Sequence, residues 1–235
     1  MRAAEAAEVA ANSHFVQKRV KETWGRDSHV IYPPVDVEEI RAVEDWYEHL
    51  DSFEQAIAED LPKNYIFGAS RFIPYKRLDL VIRAGELTGL PVILAGAGPE
   101  EENLREQALR ASVEVRFIRS PTDALLRTLY QRAAVYVFPP VEDFGIMPVE
   151  CMAAGTPVVS NRQGGAGESV IDGVTGAHFE PDDDSSLVQA IELALSLDRS
   201  KISGTTLRFS RARFDLEIQE WTRAALERHR LDNGH

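Results

Sequence analysis

Short apolar runs and segments with helical periodicity alternate through most of the chain. The runs at 64–70, 90–98, 113–118, 135–140 and 156–160 predict strands, and the segments at 76–89, 99–111, 121–133, 147–155 and 183–197 predict helices. The run at 90–98 is continuously apolar, as in a strand buried on both faces. This alternation predicts an α/β fold, a Rossmann-like doubly wound parallel sheet covered by helices on both sides.

Both ends of the chain follow a different pattern. Residues 29–36 predict a short strand that two prolines terminate. A single apolar stripe at helical spacing marks residues 38–60, with acidic residues on the opposite face, and predicts a solvated amphipathic helix. Its apolar members are Val43, Trp46, Tyr47, Leu50, Phe53 and Ile57. Residues 208–230 predict a second amphipathic helix near the C-terminus.

Charge and composition narrow the function classes. The net charge of −12 argues against general nucleic-acid binding, which needs a basic surface. Residues 38–60 hold nine acidic residues against Arg41 and so supply −8 of that charge, which leaves room for a local basic pocket elsewhere. Cys151 is the single cysteine, so no internal disulfide forms, and a reducing cytoplasm is the expected compartment. No apolar run predicts a signal peptide or a membrane span.

Unusual residues follow the first two strands of the predicted sheet, where ligands bind in doubly wound folds. Arg71, Lys76 and Arg77 follow the first strand, and cations at a strand end suit a diphosphate. Gly96 and Gly98 follow the second strand and would let the backbone approach a ligand, although a lone G-x-G is equally consistent with a tight turn.

The stretch 141–159 carries the strongest candidate chemistry. Gly145 allows a turn before the helix that Pro148 opens, and its free N–H groups can hold phosphate. Glu142 lies ahead of that helix, and Glu150 is expected in its first turn, too far away for an acid/base pair. Both carboxylates are interpreted as acceptors for ligand hydroxyls, the alternative for Glu150 being a favourable first-turn acid.

A fourth loop, residues 163–169, has three glycines ahead of Glu168. That arrangement is consistent with close backbone approach to an anion.

These motifs together resemble the retaining nucleotide-sugar glycosyltransferases of the GT-B fold, glycosyltransferase family 4. The family's E-x7-E element matches Glu142 to Glu150, its donor-phosphate Arg and Lys match Arg71 and Lys76, and its glycine-rich stretch matches 164–176. The spellings "RFIPYKRLDLVI" and "EDFGIMPVE" look most like the family's bacterial and archaeal mannosyltransferases.

The resemblance implies a role for each matching residue. Arg71 and Lys76 would neutralise the leaving diphosphate, Glu142 would bind hexose hydroxyls and Glu150 the ribose. The backbone of Phe144, Gly145, Ile146 and Met147 would hold the sugar and distal phosphate, beside Gly96 and Gly98. Arg119 and Ser120 lie where the family reads the base. No metal or other cofactor is implied. A GDP-sugar, with mannose, is the favoured donor, and UDP- or ADP-sugars are alternatives.

The resemblance also implies a division of the chain. We expect a hinge-like segment at 1–36, the acidic helix as an insertion at 37–63, the nucleotide-sugar-binding domain at 64–205, and a C-terminal helix at 206–235. The family's N-terminal acceptor half has no counterpart, so the chain is expected to be the C-terminal, donor-binding half, dependent on that half or a partner subunit for the acceptor and for any membrane contact. The alternatives are a non-catalytic nucleotide-sugar-binding module and a UDP-sugar epimerase of the GT-B group.

Overall fold

The computed structural model describes residues 7–232. The chain forms a pair of parallel strands near the N-terminus and a six-stranded parallel sheet. The strands are β1 (Ala10–Ala11), β2 (His29–Val30), β3 (Ile66–Ala69), β4 (Val92–Ala95), β5 (Val115–Ile118), β6 (Val135–Phe138), β7 (Val158–Asn161) and β8 (Gly176–Phe179). The helices are α1 (His14–Trp24), α2 (Val37–Ala42), α3 (Ser52–Glu59), α4 (Asp79–Thr88), α5 (Glu101–Arg110), α6 (Asp123–Arg132), α7 (Ile146–Ala153), α8 (Gly165–Ser169), α9 (Asp184–Leu195) and α10 (Arg211–Asp232).

The large sheet has the strand order β5-β4-β3-β6-β7-β8, with every pairing parallel. All four residues of β3, β4, β6 and β7 are buried, as expected for strands covered on both faces. The predicted Rossmann-like α/β fold is therefore confirmed. Each of the five strands predicted for this sheet is present, whereas β8, the short helix α8 and, near the N-terminus, β1 and α1 were not predicted.

Two apolar cores lie on opposite faces of the sheet. Along β3, Ile66 contributes to one core and Phe67 to the other, because successive side chains of a strand point to opposite faces. Helices α4, α5 and α9 contribute to the first core, and α6 and α7 to the second. Burying each large apolar side chain contributes about 1.5–3 kcal/mol, so both layers hold the strand ends in fixed positions.

The helix after β3 begins later than the periodicity indicates. A 3₁₀ helix, Pro74–Lys76, follows the strand, Arg77 adopts a left-handed conformation (φ 50°), and α4 begins only at Asp79. The predicted C-terminal end is correct, because Gly89 terminates the helix with φ 72°. Lys76 therefore lies in the loop at the strand end.

The acidic segment is not the single amphipathic helix that its apolar stripe predicts. It forms α2, a 3₁₀ helix at Trp46–His49, and α3. The carboxylates of Asp45 and Asp51 accept hydrogen bonds from backbone N–H groups at the starts of the second and third pieces, so each aspartate starts a new helix. One member of the stripe, Phe53, is 75% exposed, and Glu54 is buried instead.

The two ends of the chain meet beside the main sheet. Strand β1 pairs with β2, and the N–H of Val35 donates to the carbonyl oxygen of Phe209 at 2.9 Å. Phe209 closes a 3₁₀ helix, Ser203–Phe209, and is buried, whereas α10 beyond it is mostly exposed. Residues 1–6 of the predicted hinge-like segment and 233–235 of the predicted C-terminal helix lie outside the described residues.

Candidate functional site

The strand order creates a crevice between β3 and β6. From β3 the chain proceeds outward through β4 and β5, and from β6 it proceeds in the opposite direction through β7 and β8. The loops that follow β3 and β6 therefore diverge and leave an opening at the carboxyl ends of the strands. Such a topological switch point is the usual ligand site of a doubly wound sheet.

Lys76 and Glu142 face each other at this switch point. Lys76 lies in the loop after β3, Glu142 lies in the loop after β6, and the ammonium group donates directly to the carboxylate Oε1. Their side chains are only 14% and 24% exposed, so solvent screens this ion pair less than a surface pair. The structure thus brings together two residues that the sequence assigned to different parts of one ligand, and it adds a contact between them that the sequence did not predict.

The other two cations of the loop after β3 differ in their surroundings. Arg71 is exposed, and no hydrogen bond or ion pair joins its guanidinium group to another residue between 7 and 232. Arg77 instead makes three hydrogen bonds of 3.1–3.2 Å to the carboxylate of Asp79, which raise the pKa of the guanidinium group. Arg71 is therefore available to a ligand, whereas Arg77 is engaged at the start of α4.

Helix α7 begins directly behind Glu142. Gly145 precedes it with φ 95°, a conformation that a side chain would strain, and Ile146 is its first residue. The initial N–H groups of a helix have no intrahelical acceptor, so those at Ile146 and Met147 are free to donate to an anion at the switch point.

An aromatic cluster fixes the turn ahead of α7. Phe144 is buried, and its ring lies 5.8 Å from that of Tyr32 and 5.5 Å from that of Phe209, measured between centroids. Tyr32 and Phe209 are themselves 5.3 Å apart. The two partners come from opposite ends of the chain, so both ends hold the backbone of residues 143–145 in place.

Glu150 lies deeper along α7 than the sequence prediction placed it. It is the fifth residue of the helix and so belongs to the second turn, and the first turn contains no acidic residue. The interpretation of Glu150 as a first-turn acid is therefore wrong. Burial raises the pKa of its carboxyl group, and a hydrogen bond from the Tyr130 hydroxyl to Oε2, at 3.2 Å, opposes that rise.

Tyr130 is a residue of this site that sequence analysis missed. Its side chain is fully buried and forms part of the core. Nothing in the local sequence signals its hydrogen bond to Glu150, because the two residues are 20 positions apart on different helices.

Gly96 and Gly98 have a packing role in the structure. A Cβ atom on Gly96 would lie 1.9 Å from the carbonyl oxygen of Ser70, and one on Gly98 would lie 2.4 Å from that of Phe72. Glycine is needed at both positions because the loop after β4 packs backbone to backbone against the loop after β3. Their contact with a ligand stays a prediction.

Arg119 and Ser120 lie at the carboxyl end of β5, two strands away from β3. Both are exposed, and Ser120 adopts a left-handed conformation with φ 47°, which is uncommon for a residue with a side chain. The backbone thus turns sharply at the position where the sequence predicts contact with a nucleotide base.

The sequence suggested that the backbone of the glycine-rich loop after β7 approaches an anion. In the structure, this loop contacts other backbone segments of the protein. The two oxygens of Glu168 accept hydrogen bonds from the N–H groups of His14 at 2.8 Å and Phe15 at 2.5 Å, at the start of α1. A Cβ atom on Gly165 would lie 2.3 Å from the carbonyl oxygen of Asp143. The glycine thus lets this loop lie against the Glu142–Asp143 backbone, and the acid caps a helix.

Within residues 7–232, no three His, Cys, Asp or Glu side chains are grouped so that they could hold a metal ion. No helix in the same range is both long and apolar enough to cross a membrane.

Comparison with known proteins places this site in a family. Residues 51–205 match the model of the family described as glycosyl transferases group 1. The chain is 36% identical over 110 residues to a glycogen synthase of Mycobacterium tuberculosis, covering 46% of this chain and 27% of that protein. It is 31% identical over 156 residues to a D-inositol 3-phosphate glycosyltransferase of Mycobacterium avium, covering 63% of this chain and 36% of that protein. The chain thus spans only about a third of these relatives.

Solved structures with the same fold include Anabaena Alr3699/HepE in complex with UDP-glucose. Its TM-score is 0.76 at 24% identity, with 92% of this chain and 64% of that chain covered. A glycosyltransferase from Rickettsia africae has a TM-score of 0.77 at 19% identity, with 94% and 64% covered. These likenesses support a GT-B type fold. Because the family model covers well over half of its residues, this chain belongs to the glycosyl transferases group 1 family.

Proposed function

We propose that the chain is the donor-binding half of a retaining family 4 glycosyltransferase and binds a nucleoside diphosphate sugar. The observation that carries this proposal is the shielded Lys76–Glu142 pair at the β3/β6 switch point, with Glu150 on the helix that follows. A cation, a carboxylate and a helix N-terminus converge there, and these three groups match the phosphate, the sugar hydroxyls and the distal phosphate of such a ligand.

Lys76 and Arg71 would carry the chemistry of the leaving group. When the bond between the anomeric carbon and the distal phosphate breaks, its electron pair goes to the phosphate oxygen. Two cations and the free N–H groups of α7 stabilise that negative charge, and fixed donors of this kind are the largest source of rate acceleration in many enzymes. The donor half would thus need no divalent metal.

The carboxylates would divide the rest of the ligand. Glu142 precedes the Gly145 turn, on the outer side of the α7 N-terminus, and is assigned to the hexose hydroxyls. Glu150 lies further inside and is assigned to the ribose. Arg119 and Ser120 would contact the base, and Gly96 and Gly98 would border the nucleotide. When the ligand enters, the Lys76–Glu142 pair separates. Lys76 then binds phosphate, and Glu142 accepts hydrogen bonds from the sugar hydroxyls.

Two donors merit direct comparison. The amino-acid sequences of the loops after β3 and β6 favour GDP-mannose as the donor and a mannosyltransferase activity. The structural neighbour from Anabaena was solved with UDP-glucose, which makes a UDP-hexose the second candidate.

Transfer would require an acceptor-holding domain or partner subunit. The chain spans 27% and 36% of the two mycobacterial relatives, so most of each relative lies outside the match. Holding donor and acceptor in line contributes on the order of 7–11 kcal/mol to a transfer reaction. We propose that a glycan or lipid-linked acceptor, and any membrane contact, belong to that second part, and that the protein acts in the cytoplasm. A non-catalytic binding module and a UDP-sugar epimerase are the competing functions.

Calorimetric titration with GDP, UDP and ADP, each with and without EDTA, tests the binding proposal. We expect one nucleotide to bind, with an affinity that EDTA leaves unchanged. Matching titrations with GDP-mannose and UDP-glucose then identify the donor. If none of the three diphosphates binds the folded chain, the proposal is wrong; binding that EDTA abolishes contradicts the metal-free site. Robust transfer by the chain without a partner protein would contradict the division into halves.

A further inference from the structure

Three fully buried tyrosines lie in the core beneath the switch point, and their hydroxyl groups have different partners. The hydroxyl of Tyr65 donates to the carbonyl oxygen of Leu129 at 2.8 Å, and that of Tyr136 to the carbonyl oxygen of Ala69 at 3.0 Å. Tyr130 alone among the three donates to a side chain, the carboxylate of Glu150. Buried hydroxyl groups need a hydrogen-bond partner. Two of the three bond to backbone carbonyl groups, and these bonds serve the fold alone.

We propose that Tyr130 is a positioning residue, whose hydroxyl holds one carboxylate oxygen of Glu150 so that the second oxygen accepts a hydroxyl of the nucleotide. The inference rests on the proposed function, in which Glu150 receives the ribose. A glutamate side chain has three rotatable bonds, and a ligand that must first order it binds less tightly. A hydrogen bond made before the ligand arrives removes part of that cost.

The support beneath Glu150 is itself rigid. The Tyr130 ring meets Phe67 and Tyr136 in edge-to-face contacts, each with centroids 5.7 Å apart. The Thr156 hydroxyl donates to the carbonyl oxygen of Tyr130 at 2.6 Å, and the guanidinium group of Arg199 donates to that hydroxyl. The ring and the backbone of Tyr130 are therefore both fixed, and the direction of its hydroxyl group is set before Glu150 binds it.

The same bond acts on the charge of Glu150. Burial raises the pKa of this carboxyl group, whereas the hydrogen bond from Tyr130 stabilises the ionised form, which is the stronger acceptor. The other titratable or charged groups that act on Glu150, or on which it acts, are Arg127, Asp123, Asp36, Tyr136 and Cys151. Tyr130 thus helps to keep a partly buried carboxylate charged.

Tyr130→Phe tests this role, with Tyr65→Phe as the matched control. Both changes delete a hydroxyl from a fully buried ring, but only the first removes a bond to Glu150. We expect Tyr130→Phe to weaken binding of the preferred nucleoside diphosphate by about three- to tenfold, and Tyr65→Phe to leave it unchanged. Binding by Tyr130→Phe should also be lost at a higher pH during acidification, because Glu150 then protonates more readily.

A double-mutant cycle with Glu150→Ala separates positioning from a general effect on the core. In the Glu150→Ala background, Tyr130→Phe should cause no further loss of affinity, because the group through which it acts is absent. A second variant leaves the tyrosine in place: Glu150→Gln keeps an acceptor for its hydroxyl and should retain more affinity than Glu150→Ala.

The outcomes distinguish the two proposals. If the unmodified chain binds no nucleotide, the proposed function fails and this inference fails with it. If the chain binds but Tyr130→Phe behaves like Tyr65→Phe, or weakens binding equally with and without Glu150, only the inference is overturned. Equal losses for Glu150→Gln and Glu150→Ala contradict it as well.

Discussion

The loops after β6 and β7 both combine glycines with glutamates, yet they use them differently. In the loop after β7, the two oxygens of Glu168 accept hydrogen bonds from backbone N–H groups of α1, and Oε2 also accepts a longer one, of 3.4 Å, from the hydroxyl of Tyr32 in the aromatic cluster. At the switch point, Glu142 contacts the ammonium group of Lys76, and Glu150 accepts a hydrogen bond from the Tyr130 hydroxyl, so both acids have side-chain partners. An acid that satisfies backbone donors has a structural role. Under the proposed function, in contrast, Glu142 exchanges Lys76 for the ligand, and Glu150 keeps the Tyr130 hydroxyl on one oxygen and binds the ligand with the other. The comparison predicts that replacing Glu168 affects stability, that replacing Lys76 or Glu142 affects binding, and that disrupting the contact between the two loops affects both.

Gly165→Ala should have the largest effect, because it forces the two loops apart. The new methyl group would lie 2.3 Å from the carbonyl oxygen of Asp143 and 2.4 Å from the Cα of Phe144. We expect a loss of about 2–3 kcal/mol in the free energy of unfolding, together with weaker nucleotide binding, because the loop of Glu142 must move. Denaturant unfolding and calorimetry measure the two effects. Gly204→Ala is the control, since no atom lies within 4 Å of its added Cβ; an equal loss in both variants would contradict the contact.

Lys76→Ala should weaken nucleoside diphosphate binding by tenfold or more. Removing a charged hydrogen-bond partner from a shielded site costs about 1.5–3 kcal/mol, and the change also leaves Glu142 as an unpaired negative charge beside the phosphates. Lys201→Ala provides a matched control, because this lysine is 75% exposed and its ion-pair partner is the nearby surface residue Asp198. Unchanged affinity in a folded Lys76→Ala protein would contradict the assignment of Lys76 to the phosphates.

Glu168→Ala should act on stability and leave binding unchanged. The variant deprives two N–H groups at the start of α1 of their acceptor, a loss typically worth about 1–2 kcal/mol of unfolding free energy. Calorimetry should show that Glu168→Ala binds the nucleotide with the same affinity as the unmodified chain. Glu180→Ala, which removes a half-exposed carboxylate from a surface pair with Arg162, is expected to affect neither quantity. A drop in affinity for Glu168→Ala would contradict the purely structural role of this carboxylate.

Glu142→Gln should produce the smallest change, and in the opposite direction. Without the carboxylate, Lys76 is released for phosphate and a negative charge is removed, so the bare nucleoside diphosphate should bind about two- to fivefold more tightly. The sugar nucleotide should gain less, because Glu142 is proposed to bind its hexose. Paired titrations with the diphosphate and its sugar conjugate measure this difference. A uniform loss for both ligands would assign Glu142 to the nucleotide portion.

Much of the fold between residues 64 and 197 could be predicted from sequence, because strands buried on both faces leave continuous apolar runs. The structure of the acidic segment could not be predicted, because its apolar stripe from Val43 to Ile57 fits a single helix. The caps at Asp45 and Asp51, which divide the segment, leave no mark on that periodicity. Strand β8 escaped notice because "GAHF" has neither length nor a clear alternation.

Sequence analysis could propose several residues of the candidate site, but not Tyr130 and not the contacts that the residues make with one another. Lys76, Glu142 and Glu150 stand out because cations and acids beside glycine turns at strand ends are unusual in a purely structural loop. Their partners do not stand out, because Lys76 meets Glu142 across 66 positions and Glu168 meets His14 across 154. Such pairings follow from the strand order and from packing, which a local pattern does not encode.

The aromatic cluster behind Phe144 bears on how this chain should be cut for expression. The family match ends at residue 205, and a fragment trimmed there would appear complete by sequence. It would nevertheless lack Phe209, which is only 2% exposed and packs against both Phe144 and Tyr32. Such a fragment would keep every residue proposed to face the phosphates or the sugar, while losing the support of the turn on which Phe144 and Gly145 lie. A minimal binding fragment therefore has to begin ahead of Tyr32 and continue past Phe209.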